Sequence, residues 1–349
     1  MTERKVSAVA GGGQPATTAR ADAAAARTAP RGRRRGRRPL TFDRISFMVV
    51  FLGVPLLIYV GLVIYPFIQA FHYSLTNWRG FEPIQQADYV WFDNYAYILT
   101  DEKFLTALGN NILLAFFLPL TTIILALTLA IVVTLGGPSS GPIRGISGAG
   151  FYRVVSFFPY VIPGIIIGFV WRLLLDPSSG LVNGILTSLG LDRFESFAWL
   201  GNEATAMPAS IFVMVWGFVG FYMLLFIAAI KAIPSEIYEA VRIDGAGRWT
   251  TAVRITLPLI RDNVQTAYIY MGIMALDAFV YMQALNPFGG PNYSTLVMSQ
   301  TLFDTAFGGN NLWGRASAMG VVLAVVTLMF AALVFLVNRL TGGKDSVSY

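Results

Sequence analysis

Cysteine is absent from this chain of 349 residues, and histidine occurs once, as His72. No disulfide scaffold and no cysteine-ligated metal can be built, and a lone imidazole gives no cluster for a histidine site. Charge is scarce as well. Asp, Glu, Lys and Arg make up 13% of the residues against 55% hydrophobic, with a mean hydropathy of +0.61, which is too apolar for a soluble protein of this length. A phosphate-binding loop of the form G-x-x-x-x-G-K-[ST] is missing: Gly342-Gly343-Lys344-Asp345 lacks both the upstream glycine and the hydroxyl. Acid pairs, nucleophile triads, metal-ligand spacings and repeats of solenoid period are missing too. The sequence therefore predicts a membrane protein that performs no covalent chemistry and carries no cofactor or metal of its own.

Six apolar runs are present, at 47–73, 111–135, 152–174, 208–230, 264–285 and 316–337. Each is near the ~20 residues that a helix needs to cross ~30 Å of hydrocarbon. The expected fold is an all-α membrane protein of six transmembrane helices. Its divisions are a basic tail at 1–44, the first helix with its loop at 45–105, a membrane domain at 106–340 and a short tail at 341–349. The first tail is Ala, Gly, Thr and Arg, and buries too little apolar surface to offset the entropy of ordering, so it reads as disordered. Much of the net charge of +6 belongs to it, because Arg20, Arg27, Arg31, Arg33, Arg34, Arg35, Arg37, Arg38 and Arg44 all precede the first run. RGRRRGRR suits a signal that holds this end in the cytoplasm; an RNA-binding arm and an anionic-lipid patch are the alternatives. A cleaved leader fits less well, since the run that follows is too long and lacks a small-residue cleavage site.

The basic residues of the loops agree with that orientation. Arg144, Arg153, Lys231, Arg242, Arg248, Arg254, Arg261, Arg339 and Lys344 fall on the side of Met1. The other side carries Arg79 and Lys103 among five carboxylates, then Arg193 and Arg315. Both termini are thus expected in the cytoplasm.

A charged island between two long apolar runs lies at 239–258, EAVRIDGAGRWTTAVRITLP. Pro234, Ser235, Glu236 and Glu239 suit a helix start, where the dipole favours negative charge, and Gly245 suits its stop. Ile237, Ala240 and Val241 share one face, and Trp249, Val253 and Leu257 recur at four-residue steps. Two short amphipathic helices joined by a glycine turn are predicted. Glu239, Ala240, Asp244, Gly245, Ala246, Ile255, Leu257 and Pro258 resemble the EAA loop of permease subunits of binding-protein-dependent ATP-binding-cassette importers. Val241 replaces the second alanine, Ala252 an aromatic and Asp262 a proline of that pattern. Phe92, Asn94, Tyr95, Phe104, Ala107, Leu108 and Asn110 are similar to the first extracytoplasmic segment of carbohydrate-type permeases, with Asp93 for the usual glycine. Pro159, Pro163, Trp171, Gly180 and Asn183 resemble their third span, and Gly289, Gly290, Pro291 and Thr295 their G-G-P loop, here preceded by Pro287-Phe288.

The resemblance implies a maltose-type sugar permease whose cytoplasmic coupling loop lies between the fourth and fifth spans. It implies a second permease in a heterodimer, two copies of an ATPase holding ATP and Mg, an extracytoplasmic binding protein, a sugar substrate and surrounding lipid, and no nucleic acid. Glu239, Ala240, Arg242, Asp244, Gly245, Ala246, Leu257 and Pro258 would form the ATPase-coupling loop, laying an apolar face in a groove with ionic contacts at its edge. For substrate, Asp277 is the one carboxylate well inside a predicted span, where such a group is costly and is by default a functional candidate. Tyr270, Asp277 and Tyr281 share a predicted helix face with Met274, and aromatic faces with hydrogen-bonding groups suit a sugar. The family's use of its fourth and fifth spans adds Phe221 and Tyr222. The alternative for Asp277 is a bond to a neighbouring helix that fixes packing. Pro159 and Pro163 predict a kink in a single third span, and Trp216-Gly217 with Gly220 predict close helix packing. A polyol, an amino sugar or glycerol phosphate would suit the same features as substrate. An ion-coupled secondary transporter would need paired intramembrane charges or an inverted repeat, and a scaffold or channel subunit would bind no ATPase.

Overall fold

The computed structural model describes residues 46–135, 145–309 and 311–340; the expected tails at 1–44 and 341–349, and Arg144, lie outside the described residues. Among the described residues the chain is helical, with no strand and one isolated antiparallel bridge between Thr76 and Tyr89. Four helices are long and apolar enough to cross a membrane: α1 (Ser46–Ser74), α3 (Glu102–Leu135), α7 (Glu203–Lys231) and α13 (Trp313–Leu340), with the short α2 (Asp93–Ile98) between the first two and the short α6 (Leu181–Ser188) ahead of α7. Two further spans are broken pairs. α4 (Ala149–Val161) and α5 (Gly164–Leu174) meet at 98°, and α10 (Arg261–Leu276) and α11 (Phe279–Leu285) at 51°. The six apolar runs of the sequence thus correspond to four continuous helices and two broken ones.

The chain divides into two compact units at Ile64/Tyr65. In the first, residues 46–64 are apolar helix with π-helical turns at Val49–Gly53 and Val60–Ile64, and none is buried. In the second, α7 is the central element. Asn202 caps its start by accepting from the Ala204 amide at 2.9 Å, and its 29 residues reach ~44 Å at 1.5 Å each. It packs on α3, α4 and α10 through buried Met214, Met223 and Phe226, with Leu114 and Leu118 of α3 and Met271 of α10 in the same cluster.

The third span departs from the expected single kinked helix. Pro159 stays within the last turn of α4, whereas Pro163 ends the run: Ile162 before it is extended (φ −78°, ψ 131°), as proline's ring requires of its predecessor. At 13 and 11 residues, ~20 and ~16 Å, neither half crosses the hydrocarbon alone. The break in the fifth span has neither proline nor glycine. It falls at Asp277 (φ −106°, ψ 52°), and the Leu276 carbonyl accepts from the Asn111 side chain of α3 at 2.7 Å, which replaces a lost helix bond.

At the end of the bundle away from the 239–258 stretch, the loops fold onto the helices through the residues of the family-like segments. Buried Asn94 donates to the Ser74 and Thr76 carbonyls at 2.9 and 2.8 Å, and Tyr95 meets the Ser74 hydroxyl at 2.6 Å. Phe104 and Ala107 are fully buried with Leu296 and Met298. Asn110 donates to the Tyr293 and Leu296 carbonyls, and so holds a loop in which Phe288, Gly289, Gly290, Asn292 and Tyr293 all have positive φ. α12 (Met298–Phe307) follows, its first amide bonded to Asn111 at 2.7 Å.

Candidate functional site

Two assemblies carry the residues singled out above. The first is the hairpin after α7, made of α8 (Ser235–Ile243) and α9, which runs over 248–259 with a π-helical turn at Thr251–Thr256. α8 ends in a Schellman turn: the Gly245 amide bonds the Arg242 carbonyl at 2.9 Å, the Ala246 amide bonds Val241 at 3.2 Å, and Gly245 takes φ +73°. The hairpin is closed from within. Buried Tyr238 meets Thr256 at 3.2 Å, and burial raises its phenol above the usual tyrosine range so that it stays protonated. Ala252 and Thr251 complete this inner face.

What remains outside is the stripe Glu236, Glu239, Ala240 and Ile243, followed by Asp244, Gly245 and Trp249. Ile243 is 86% exposed and Trp249 80%, a large apolar pair at the tip of a polar loop. Arg242, Ala246 and Leu257 are half-buried and Pro258 is exposed. Neither Glu239 nor Asp244 has a side-chain partner among the described residues. The apolar face expected at Ile237, Ala240 and Val241 is thus rotated: Ile237 and Val241 turn partly inward, and Ile243, which the sequence reading passed over, faces out. The helical spacing of Glu236, Glu239, Ala240 and Ile243, which puts the isoleucine on the face of the two carboxylates, was the available signal.

The second assembly lies where the two broken spans meet α7. The Tyr160 ring of α4 stacks on Phe221 at 4.6 Å between centroids, Phe221 lies edge-on to Tyr222 at 5.2 Å, and Phe218 is 5.4 Å from Tyr281 of α11. Tyr281 fits between two glycines: a Cβ on Gly164 would lie 2.9 Å from its ring and one on Gly217 2.9 Å from its hydroxyl. Gly220 lies against the Ser156 carbonyl, so Gly217 and Gly220 both serve close packing of α7. Phe221, Tyr222 and Tyr281 are therefore brought together. Tyr160, inside the Pro159–Pro163 segment, joins them although the sequence reading passed it over.

Tyr270 and Asp277 are not part of this cluster. Helix α10 persists as far as Leu276, so Tyr270, Met274 and Asp277 do lie along one open face; the bend then carries Tyr281 away from it. The Asp277 side chain is exposed at the break and has no partner among the described residues, so the packing bond considered for it is not seen. Beyond α5 a cleft of about 390 Å³ is lined by Arg172, Asp176, Asn286, Pro287 and Gly290. The Ser178 hydroxyl, with the Ser179 and Ser178 amides, holds the Asp176 carboxyl down to about 2, so this cleft carries an ionised carboxylate as well as the Arg172 guanidinium.

Residues 135–342 match the model of the family described as binding-protein-dependent transport system inner membrane component. The chain is 61% identical over 320 residues to the diacetylchitobiose uptake system permease protein NgcF of Streptomyces coelicolor, covering 92% of this chain and 90% of that one. It is 32% identical to the multiple sugar-binding transport system permease protein MsmF of Streptococcus mutans, over 79% of this chain and 89% of that one. Its fold matches a chain of a bacterial ABC transporter involved in import of the acidic polysaccharide alginate, with a TM-score of 0.70 at 22% identity, covering 85% and 96% of the two. The chain belongs to the binding-protein-dependent transport system inner membrane component family. It is a multi-pass permease of an ABC importer, which works with a second permease subunit, an ATPase and a substrate-binding protein.

Proposed function

We propose that this chain forms one half of a translocation pathway for a neutral oligosaccharide of the diacetylchitobiose type, and that the second permease is a different chain. The observation that carries the substrate class is the similarity to a diacetylchitobiose permease along nearly the whole length. The geometry supports it: exposed Tyr160 and half-buried Phe221, stacked on it, offer a phenol and aromatic surface for the hydroxyls and C–H side of a sugar, with Tyr222 and Tyr281 packed behind them. Asp277, with Tyr270 and Met274 on the open face of α10, adds a carboxylate that accepts from sugar hydroxyls. Uptake of labelled diacetylchitobiose by cells carrying or lacking the gene tests the substrate, with maltose, a polyol and glycerol phosphate as competitors. Loss of uptake on deletion with competition only by chito-oligosaccharides is expected; normal uptake without the gene would overturn it.

In the same reading the α8–α9 hairpin docks in a groove of the ATPase, with Ile243 and Trp249 as apolar anchors and Glu239, Arg242 and Asp244 at the rim. ATP and Mg reside on that subunit, which does the hydrolysis. The hairpin and both termini face the cytoplasm, and the loop between α1 and α3 faces out, in keeping with the distribution of arginine and lysine.

A further inference from the structure

A second cleft, of about 410 Å³, lies at the hairpin end of the bundle, where α3 and α7 finish and α4 and α8 begin. Buried Leu135, Ile230 and Tyr238 line it, together with Ile146 and Ile233. Close packing sets its shape: a side chain at Gly145 would collide with the Val133 carbonyl of α3, and Tyr238 is tied to Thr256 across the hairpin. Two cations face this otherwise mostly apolar space, half-buried Arg153 of α4 and exposed Lys231 at the last position of α7. Among the described residues neither has a counter-ion. The Arg153 Nε is buried and lacks a hydrogen-bond partner, and Glu239, which also lines the cleft, forms no ion pair with either cation. Residues 136–144, which join Leu135 to Gly145, read GGPSSGPIR; they include an arginine and no carboxylate, so they cannot supply the missing negative charge. A guanidinium held partly out of water without a partner is costly.

We propose that this cleft binds the phosphate monoester of a small metabolite, such as a sugar phosphate, with the phosphate held by Arg153 and Lys231. Charge selects the group. A phosphate monoester carries about −1.5 to −2 near neutral pH and so offsets both cations, whereas a carboxylate or a lipid phosphodiester carries a single charge and leaves one cation uncovered. The Ser235 hydroxyl on the same lining, without a partner among the described residues, adds a donor. Size selects a small ligand, because the cleft lies near the lower end of the ~300–1,000 Å³ usual for small-molecule sites. The site is separate from the aromatic cluster, which packs near the middle of α7. Since α8 forms one wall, an occupant joins the hairpin to the ends of α4 and α7.

The test uses the absence of cysteine from the chain. Ser235→Cys places a single thiol at an exposed lining position, and its alkylation rate is read by peptide mass spectrometry on the intact transporter in detergent. Glucose 6-phosphate should slow alkylation, and glucose should not. Arg153→Gln and Lys231→Gln, each added to that background, should raise the concentration giving half protection by about tenfold or more, as loss of a hydrogen bond to a charged group does. Lys231 is exposed, so its variant keeps the test open if Arg153→Gln fails to assemble. Glu239→Gln should lower that concentration, because it removes a like charge from the cleft. The site would be overturned by absence of protection, by protection that both glutamine variants at the cations leave unchanged, by equal weakening in Glu239→Gln, or by protection from phosphatidylglycerol and not from the monoester. Slow alkylation in washed transporter free of any phosphate compound would also overturn it, since another subunit would then cover the cleft. None of these outcomes bears on which solute is imported, so the two readings fail separately.

Discussion

Single side chains decide where the backbone of this fold can break. Asn111 is fully buried, donates to the Leu276 carbonyl and accepts from the Met298 amide, both at 2.7 Å, so one amide joins three elements. Asn111→Leu removes both bonds at similar volume and leaves two buried backbone groups unpaired, each costing ~1–3 kcal/mol. The purified protein should unfold at lower temperature, whereas Asn111→Gln should lose less because it keeps both functions; equal thermal midpoints for all three would contradict the clamp. Gly245 is a different case, since a Cβ there meets nothing within 4 Å and only its φ of +73° disfavours a side chain. Asparagine tolerates that conformation. Gly245→Asn should therefore keep the turn and much of the ATPase binding, while Gly245→Leu adds strain and bulk at the tip and should lose most of it, as read by co-purification. At Asp176 the depressed pKa gives a sign. The turn at 176–179 is held while the carboxylate is ionised and loosens only as pH falls below the ordinary range near ~4 toward 2, so Asp176→Asn should not change the pH profile of uptake near neutrality.

Elements fit one another here by pairing a glycine with a specific side chain. Gly217 faces the Tyr281 hydroxyl at a distance that a Cβ would reduce to 2.9 Å, with the next contacts, Ile167 and the Tyr281 ring, at 3.5 and 3.8 Å. Gly217→Ala should consequently push α11 from α7 and lower thermal stability by roughly 1–3 kcal/mol, as overpacking does. Tyr281→Phe removes the offending atom, and the double variant should recover stability that the alanine variant loses; additive losses would show that the contact does not control the fit. This pairing also shows what the sequence reveals. Helix existence was legible, because ~20-residue apolar runs have few alternatives, and so was the hairpin, whose Gly245 and Pro234 mark its punctuation. The break after Ile162 was half legible: a proline announces a kink, but not whether the chain bends slightly or turns through 98°. The break at Asp277 was not legible, since the freed Leu276 carbonyl is satisfied by an asparagine 165 positions earlier. For the same reason the helical face drawn through Tyr270 and Asp277 to Tyr281 holds only as far as the break. Tyr160 was hidden because its role depends on where that 98° turn places it.

On the scale of the whole molecule, the α8–α9 hairpin follows one end of α7 and the aromatic cluster lies about halfway along it, so one long helix connects them. The hairpin follows the C-terminal end of α7, while Phe218, Phe221 and Tyr222 sit near its middle, against both broken spans. If force enters at the hairpin, it reaches the cluster through a rigid element that packs on the continuous α3 and on both interrupted spans. Assembly and solute handling should therefore be separable by mutation. Ile243→Asp and Glu239→Lys alter only exposed positions, so the permease should be made in normal amount; the first removes an apolar anchor and the second reverses a rim charge. Both should weaken ATPase association, by at least tenfold for Ile243→Asp if it is buried on docking as an anchor of ~2 kcal/mol. Uptake should fall in step, with ATP hydrolysis no longer responding to the loaded binding protein. Asp277→Asn should leave that association unchanged and alter uptake or its preference among sugars, because the carboxylate lies on the open face of α10 and far along the chain from the hairpin tip. Subunit pull-down and uptake, measured on the same preparations, decide between the outcomes. Full association and uptake in both hairpin variants would remove the docking assignment, and loss of association in Asp277→Asn would mean that the break in the fifth span supports assembly and not passage.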